Sequence, residues 1–160
     1  MGSIYDFLEN NGIQYERHDH PPVYTCEEAE RLVPPLPAAK TKNLFLRDKK
    51  GRWHLLVVVG AERQVDLKAL TKLLGVSRLS MGSAERLKKY LHIEPGAVSI
   101  LALFNDIENH VEIVMDSDIW ESTAFQCHPL VNTSTLVISR AGIEHFLSKT
   151  GHSLRILPIP

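Results

Sequence analysis

Ile4, Phe7 and Leu8 recur at helical spacing behind Ser3, a good cap, and Asn11-Gly12 supplies a left-handed stop. Gln14 to His18 reads as a strand, after which His20-Pro21-Pro22 forces an extended or turning segment. Thr25 with Glu28 three residues on forms a capping box for a helix through Val33, ended by Pro34, Pro35 and Pro37. Lys42 to Arg47 and Trp53 to Val59 predict a hairpin across Asp48-Lys49-Lys50-Gly51. Leu55 to Val59 is apolar at every position, the mark of a central strand covered on both faces. Asp66 caps a helix bearing Leu67, Leu70, Leu73 and Leu74 that Gly75 closes; Ser83 caps another bearing Leu87 and Leu91. Pro95-Gly96 is a turn. Val98 to Phe104, Val111 to Met115 and Thr135 to Ser139 read as further strands. Ser139 then caps a last helix with Ile143, Phe146 and Leu147 inward, Gly151 stops it, and Leu154 to Leu157 supplies a final strand.

Helices scattered among hairpin-like strand pairs, without a repeated βα unit, predict an α+β fold: one domain over residues 1–160 around a mixed, mostly antiparallel sheet. Composition agrees, with 44% apolar and 23% charged residues, the balance of an ordinary globular domain. No apolar run is long enough to span a bilayer and no signal peptide leads the chain, so a cytoplasmic location is expected. Cys26 and Cys127 make no CxxC or zinc spacing, and the histidines make no HExxH, so no metal and no cofactor are expected.

The net charge of −1 gives no support for tight, sequence-independent binding of long nucleic acid. Basic residues do gather locally, at Lys40, Lys42, Arg47, Lys49, Lys50 and Arg52 and again at Arg78, Arg86, Lys88 and Lys89. These are either solvated faces or a small basic mouth for one end of a nucleic acid.

Three segments carry candidate chemistry. Lys42 and Asn43 stand together at the entry to an apolar strand, where alternation turns one of them toward the buried side. Lys42 there either snorkels or meets an anion, and Asn43 offers a donor and an acceptor. His128 precedes Pro129, which holds it extended, and the polar run Asn132-Thr133-Ser134-Thr135 suits a pocket wall. His128 can be a base, a donor, a stacking ring or a structural residue. Cys127 beside it has no assignable activating group. Glu94-Pro95-Gly96-Ala97-Val98-Ser99 is either a plain turn or a backbone that approaches a ligand and offers N–H donors to an oxyanion. His18-Asp19-His20 reads as a polar cluster at a strand end.

Taken in order, His20-Pro21-Pro22-Val23-Tyr24-Thr25, Lys42-Asn43-Leu44-Phe45-Leu46, Ser77 to Leu87, Pro95-Gly96-Ala97-Val98-Ser99 and His128-Pro129-Leu130-Val131-Asn132-Thr133 resemble the YbaK/prolyl-tRNA-synthetase-associated editing domain family. The likeness covers nearly the whole chain and is closest to the freestanding alanyl-tRNA(Pro) deacylase branch. It implies a mixed-sheet α+β editing fold and hydrolysis of the ester that joins a mischarged amino acid to the terminal adenosine of tRNA(Pro). Lys42, Gly96 and His128 match catalytic positions on this resemblance; Asn43, Ala97, Val98, Ser99 and Asn132 match substrate-binding ones. Ile100 stands where family members often carry proline. The implied partners are the tRNA(Pro) acceptor end and, transiently, prolyl-tRNA synthetase, with no membrane and no metal. Editing of serine, threonine or cysteine, and a non-catalytic nucleic-acid-binding module, are the alternatives.

Overall fold

The run Leu55 to Val59 lies inside β3 (His54–Gly60), whose residues from His54 to Val59 are all buried. In the computed structural model, which describes residues 3–22 and 36–160, this strand is the middle of a five-stranded sheet of order β4-β2-β3-β5-β8. Its neighbours are β2 (Thr41–Arg47), antiparallel, and β5 (Val111–Asp116), parallel; β4 (Ser80–Met81) and β8 (Leu154–Leu157) form the edges. A second sheet, order β1-β7-β6, is antiparallel and consists of β1 (Glu16–Asp19), β7 (Ser134–Ser139) and β6 (Ala124–Cys127). The α+β class is therefore as expected, with the strands divided between two sheets.

Alternation along β2 and β3 sorts the core into two clusters. Phe45, Leu56 and Val58 face the larger one, which also holds Leu8, Leu101, Phe125, Cys127, Leu136 and Phe146. Leu46, Leu55, Val57 and Val59 face the smaller one with Leu70, Leu79 and Ile159. β3 is thus covered on both sides.

The expected helix ends form. Ser3 and Asp6 make a reciprocal capping box on α1 (Ile4–Asn10), and Gly12 takes φ 68°. Asp66 caps α2 (Leu67–Leu74), Ser83 caps α3 (Ala84–Leu91) and Ser139 caps α5 (Arg140–Thr150), each accepting a backbone N–H in the first turn. A short α4 (Ser117–Trp120) follows β5 directly. The helix expected from Thr25 to Val33 lies outside the described residues.

Several expectations are corrected. Val98 to Phe104 is not a strand: Ile100–Asn105 is a 3-10 helix, with Ser99 Oγ accepting the Leu101 N–H at 3.1 Å. Ile100 to Leu103 are buried on every side, and an apolar run of that kind has no periodicity to separate helix from strand. β1 begins two residues later than expected, and β4, α4 and β6 were not foreseen. Of the leucines borne by α2, Leu70 is buried and Leu73 is 49% exposed.

Arg86 of α3 holds the β2–β3 hairpin, donating to Gly51 O (3.2 Å) and to His54 Nε2 (3.0 Å). Behind it, Gly82 leaves no room for a side chain, since a Cβ there would lie 2.4 Å from the Phe45 ring. Among the described residues no helix is long and apolar enough to cross a membrane.

Candidate active site

The two sheets meet at the start of β2. Ala39 and Phe125 form a parallel bridge, with Ala39 N–H donating to Ala124 O and Gln126 N–H donating to Ala39 O, both at 2.9 Å. Side chains reinforce it: Thr41 Oγ1 donates to Gln126 O and Gln126 Nε2 to Ala38 O, each at 3.1 Å. Lys42, in β2, lies three residues beyond Ala39, and His128 follows the last residue of β6. Residues far apart in sequence thus converge on one seam.

Lys42 and Asn43 leave β2 on opposite sides. Lys42, half-buried, pairs with Val59 on the side of the smaller cluster, one residue inside the strand end. Asn43 pairs with Val58 on the side of the larger cluster. Its Oδ1 is buried and, among the described residues, accepts no hydrogen bond. A buried carbonyl left without a donor costs about 1–3 kcal/mol, so this oxygen is an open acceptor at the seam.

His128 is also half-buried. Its Nδ1 lies 3.5 Å from Ser134 O, the outer limit of a hydrogen bond; since a carbonyl only accepts, this contact favours the proton on Nδ1 and leaves Nε2 as an acceptor. Burial, with the nearby His20 ring adding to it, lowers the His128 pKa below the ordinary value; the Ser134 carbonyl opposes the shift without cancelling it. A ring with a depressed pKa favours the folded state fully above the ordinary histidine value of about 6.5, and that contribution is lost as pH falls through the depressed value. An NMR titration of the His128 ring is expected to give a midpoint clearly below about 6.5; a midpoint at or above it would show that the ring is solvated.

Cys127 is no nucleophile. Its thiol is buried and burial pushes the pKa up to about 12, so it stays protonated at neutral pH.

Pro95–Ala97 forms a 3-10 turn in which Ala97 N–H donates to Glu94 O at 3.0 Å, so that donor is already occupied. Gly96 is exposed, Val98 packs on the larger core cluster, and Ser99 is buried as a helix cap. Among the described residues no hydrogen bond joins this turn to Lys42, Asn43 or His128. Asn132 is half-buried in the loop between β6 and β7, two residues beyond Leu130, which takes φ 67°.

The basic stretch divides. Lys40 and Lys42 lie by the seam, whereas Arg47, Lys49, Lys50 and Arg52 lie at the hairpin end of β2, about 17 Å from Lys42 along an extended strand. Arg86 belongs structurally to the hairpin.

Sequence reading did not foresee the part played by the end of β1. His20 N–H donates to Thr133 O (2.9 Å), His20 Nε2 contacts Thr135 Oγ1 (2.8 Å), and Ser134 Oγ donates to Asp19 Oδ1 (2.6 Å). The polar cluster His18-Asp19-His20 was the available signal, but its partners lie far downstream in the sequence.

The aminoacyl-tRNA editing domain matches residues 20–146. The prolyl-tRNA editing protein ProX of Acetoanaerobium sticklandii is 37% identical over 152 residues, covering 95% of this chain and 93% of that one. The prolyl-tRNA synthetase associated domain-containing protein 1 of Danio rerio is 37% identical over 156 residues, covering 96% and 84%. A crystal structure of a hypothetical protein superposes with a TM-score of 0.74 at 16% identity, covering 96% of this chain and 97% of that one, a likeness of fold. With the family match spanning most of its length, the chain belongs to the YbaK/ProX aminoacyl-tRNA editing domain family.

Proposed function

We propose that this protein is a trans-editing hydrolase that deacylates mischarged alanyl-tRNA(Pro), releasing alanine and free tRNA. The observation that carries the reading is the buried Oδ1 of Asn43, which among the described residues accepts no hydrogen bond and stands next to Lys42 in β2. An aminoacyl ester on a terminal adenosine supplies the missing donor, as an α-ammonium or a ribose hydroxyl. The names of the relatives, a prolyl-tRNA editing protein and a prolyl-tRNA synthetase associated protein, favour tRNA(Pro) as the carrier. Prolyl-tRNA synthetase itself is a transient partner on this reading, and the cytoplasm is the place of action.

Water adds to the ester carbonyl carbon, the bond from that carbon to the ribose oxygen breaks, and the ribose oxygen takes a proton as the amino acid leaves as a carboxylate. The ester is already activated, so placement and charge stabilisation do most of the work. Lys42 anchors a phosphate of the tRNA end as a compact charge. Neutral His128 offers Nε2 to hold the attacking water or a ribose hydroxyl. The resemblance to the editing family is what assigns the turn Gly96-Ala97-Val98-Ser99 and Asn132 to the substrate-binding surface. Alanine is the fitting error because a synthetase site shaped for proline rejects a smaller side chain by only about 1–3 kcal/mol per missing methylene.

The test is release of amino acid from tRNA(Pro) charged separately with alanine, serine, threonine, cysteine and proline. Alanine is expected to be released fastest and proline spared. Faster release of serine, threonine or cysteine would move the assignment to that amino acid, and binding without turnover would make the chain a nucleic-acid-binding module.

A further inference from the structure

We propose that His20 is a positioning residue for His128, the end of β1 acting as a clamp on the loop that carries His128. The inference rests on the deacylase reading given above and adds to it a residue outside the pocket.

The β6–β7 connection, residues 128–133, begins at His128 and contains Leu130 at φ 67°, a backbone region that a side chain of this kind rarely adopts. Such a conformation persists only where its surroundings over-determine it. Three consecutive residues on the far leg are each held from the end of β1. Thr133 O accepts from His20 N–H at 2.9 Å, Ser134 Oγ donates to Asp19 Oδ1 at 2.6 Å, and Thr135 Oγ1 meets His20 Nε2 at 2.8 Å. Ser134 and Thr135 are buried, so their hydroxyls have little recourse to water.

The His20 ring is itself fixed. Pro21 O lies 2.9 Å from Nδ1 and can only accept, so Nδ1 is protonated, and in the neutral ring Nε2 receives the Thr135 hydroxyl. Asp19 is exposed but tied to Arg17 Nε at 2.9 Å, and the Ser134 and Arg17 hydrogen bonds hold its carboxyl below the usual range.

The consequence for His128 follows from the length of its own bond. At 3.5 Å the contact from Nδ1 to Ser134 O is at the limit of a hydrogen bond and orients the ring weakly. Where Ser134 O stands therefore decides which His128 nitrogen carries the proton and where Nε2 points. His20 and Asp19 set that position. Of the charged and titratable groups nearby, His20 faces His128, and Arg17 and His20 face Asp19.

The full chain is assayed in two ways: alanyl-tRNA(Pro) hydrolysis, resolved into kcat and KM, and ring-nitrogen NMR of His128 in the free protein. His20→Ala is expected to lower kcat by about tenfold with KM changed less than about twofold, and to turn a single His128 tautomer into a mixture. His20→Gln, which keeps an acceptor for Thr135, recovers most of both. A folded His20→Ala protein with wild-type kcat and an unchanged tautomer overturns the proposal. Thr135→Val removes the same contact without changing side-chain volume and replaces His20→Ala if that variant does not fold; the same outcomes decide. If the wild-type protein hydrolyses no aminoacyl-tRNA, the functional reading fails, and the His128 tautomer in the variants still decides the clamp.

Discussion

Lys42→Ala is expected to slow alanine release from alanyl-tRNA(Pro) by at least about a hundredfold while leaving the fold intact, the size of loss that follows when a substrate loses an anchor and its reacting bond is misplaced. Lys42 sits one residue inside β2, half-buried at the seam, where its stem can reach a phosphate while Leu44 and Leu46 supply the apolar contacts of that side. Truncating it takes little from the core, so stability should change by no more than about 0.5 kcal/mol. Lys42→Arg keeps the charge but spreads it over a planar fork, and is expected to recover activity only in part. Single-turnover release, with circular dichroism as the fold control, decides the matter. Undiminished hydrolysis in a folded Lys42→Ala protein would remove this residue from the site.

The largest loss of stability is expected from Asp106→Ala. Asp106 is buried, with Oδ2 accepting from His152 Nε2 (2.9 Å) and Val111 N–H (2.8 Å), and Oδ1 from His110 N–H (2.9 Å). One carboxylate thereby ties the start of β5 to the segment leading into β8. Removing it strands a buried imidazole and two backbone donors, a cost of about 3–5 kcal/mol. Since a domain of this size is stable by only about 5–15 kcal/mol, urea unfolding should show a greatly lowered midpoint. A loss below about 1 kcal/mol would mean that water replaces the carboxylate.

The same residue gives an acid dependence. Burial works to raise the Asp106 pKa, but the His152, Val111 and His110 hydrogen bonds outweigh it and hold the carboxyl below the ordinary value. Its stabilisation is therefore complete above about pH 4 and is lost as pH falls through the depressed value. The acid limb of the stability curve should be shallower in the Asp106→Ala protein.

Helix caps were the most legible part of the fold because a cap is a local event. Ser3, Asp66, Ser83 and Ser139 each bond within the turn they begin, so a few residues suffice to reveal them. Ile100 to Leu103 misled because uniform burial erases the periodicity that separates strand from helix. β6 escaped because four residues give too short an alternation, and its pairing with β7 is apparent only in three dimensions. Lys42, Asn43 and His128 were each visible as odd residues, but the Ala39–Phe125 bridge that brings their segments together is a long-range contact. His20 and Asp19 passed for exposed polar side chains at a strand end for the same reason: Thr135 and Ser134 lie 115 residues away.

The seam bears on how such a domain can change its preference over evolutionary time. β3 is locked between two ladders and two core clusters, whereas the two sheets, which share the larger core cluster, are hydrogen-bonded to each other at the start of β2 by one bridge and a few side-chain bonds among the described residues. On the proposed function, a small shift of one sheet against the other alters the width of the proposed pocket without breaking a ladder. Selectivity for one small amino acid over another can then drift by substitutions along this margin while the foundations remain untouched.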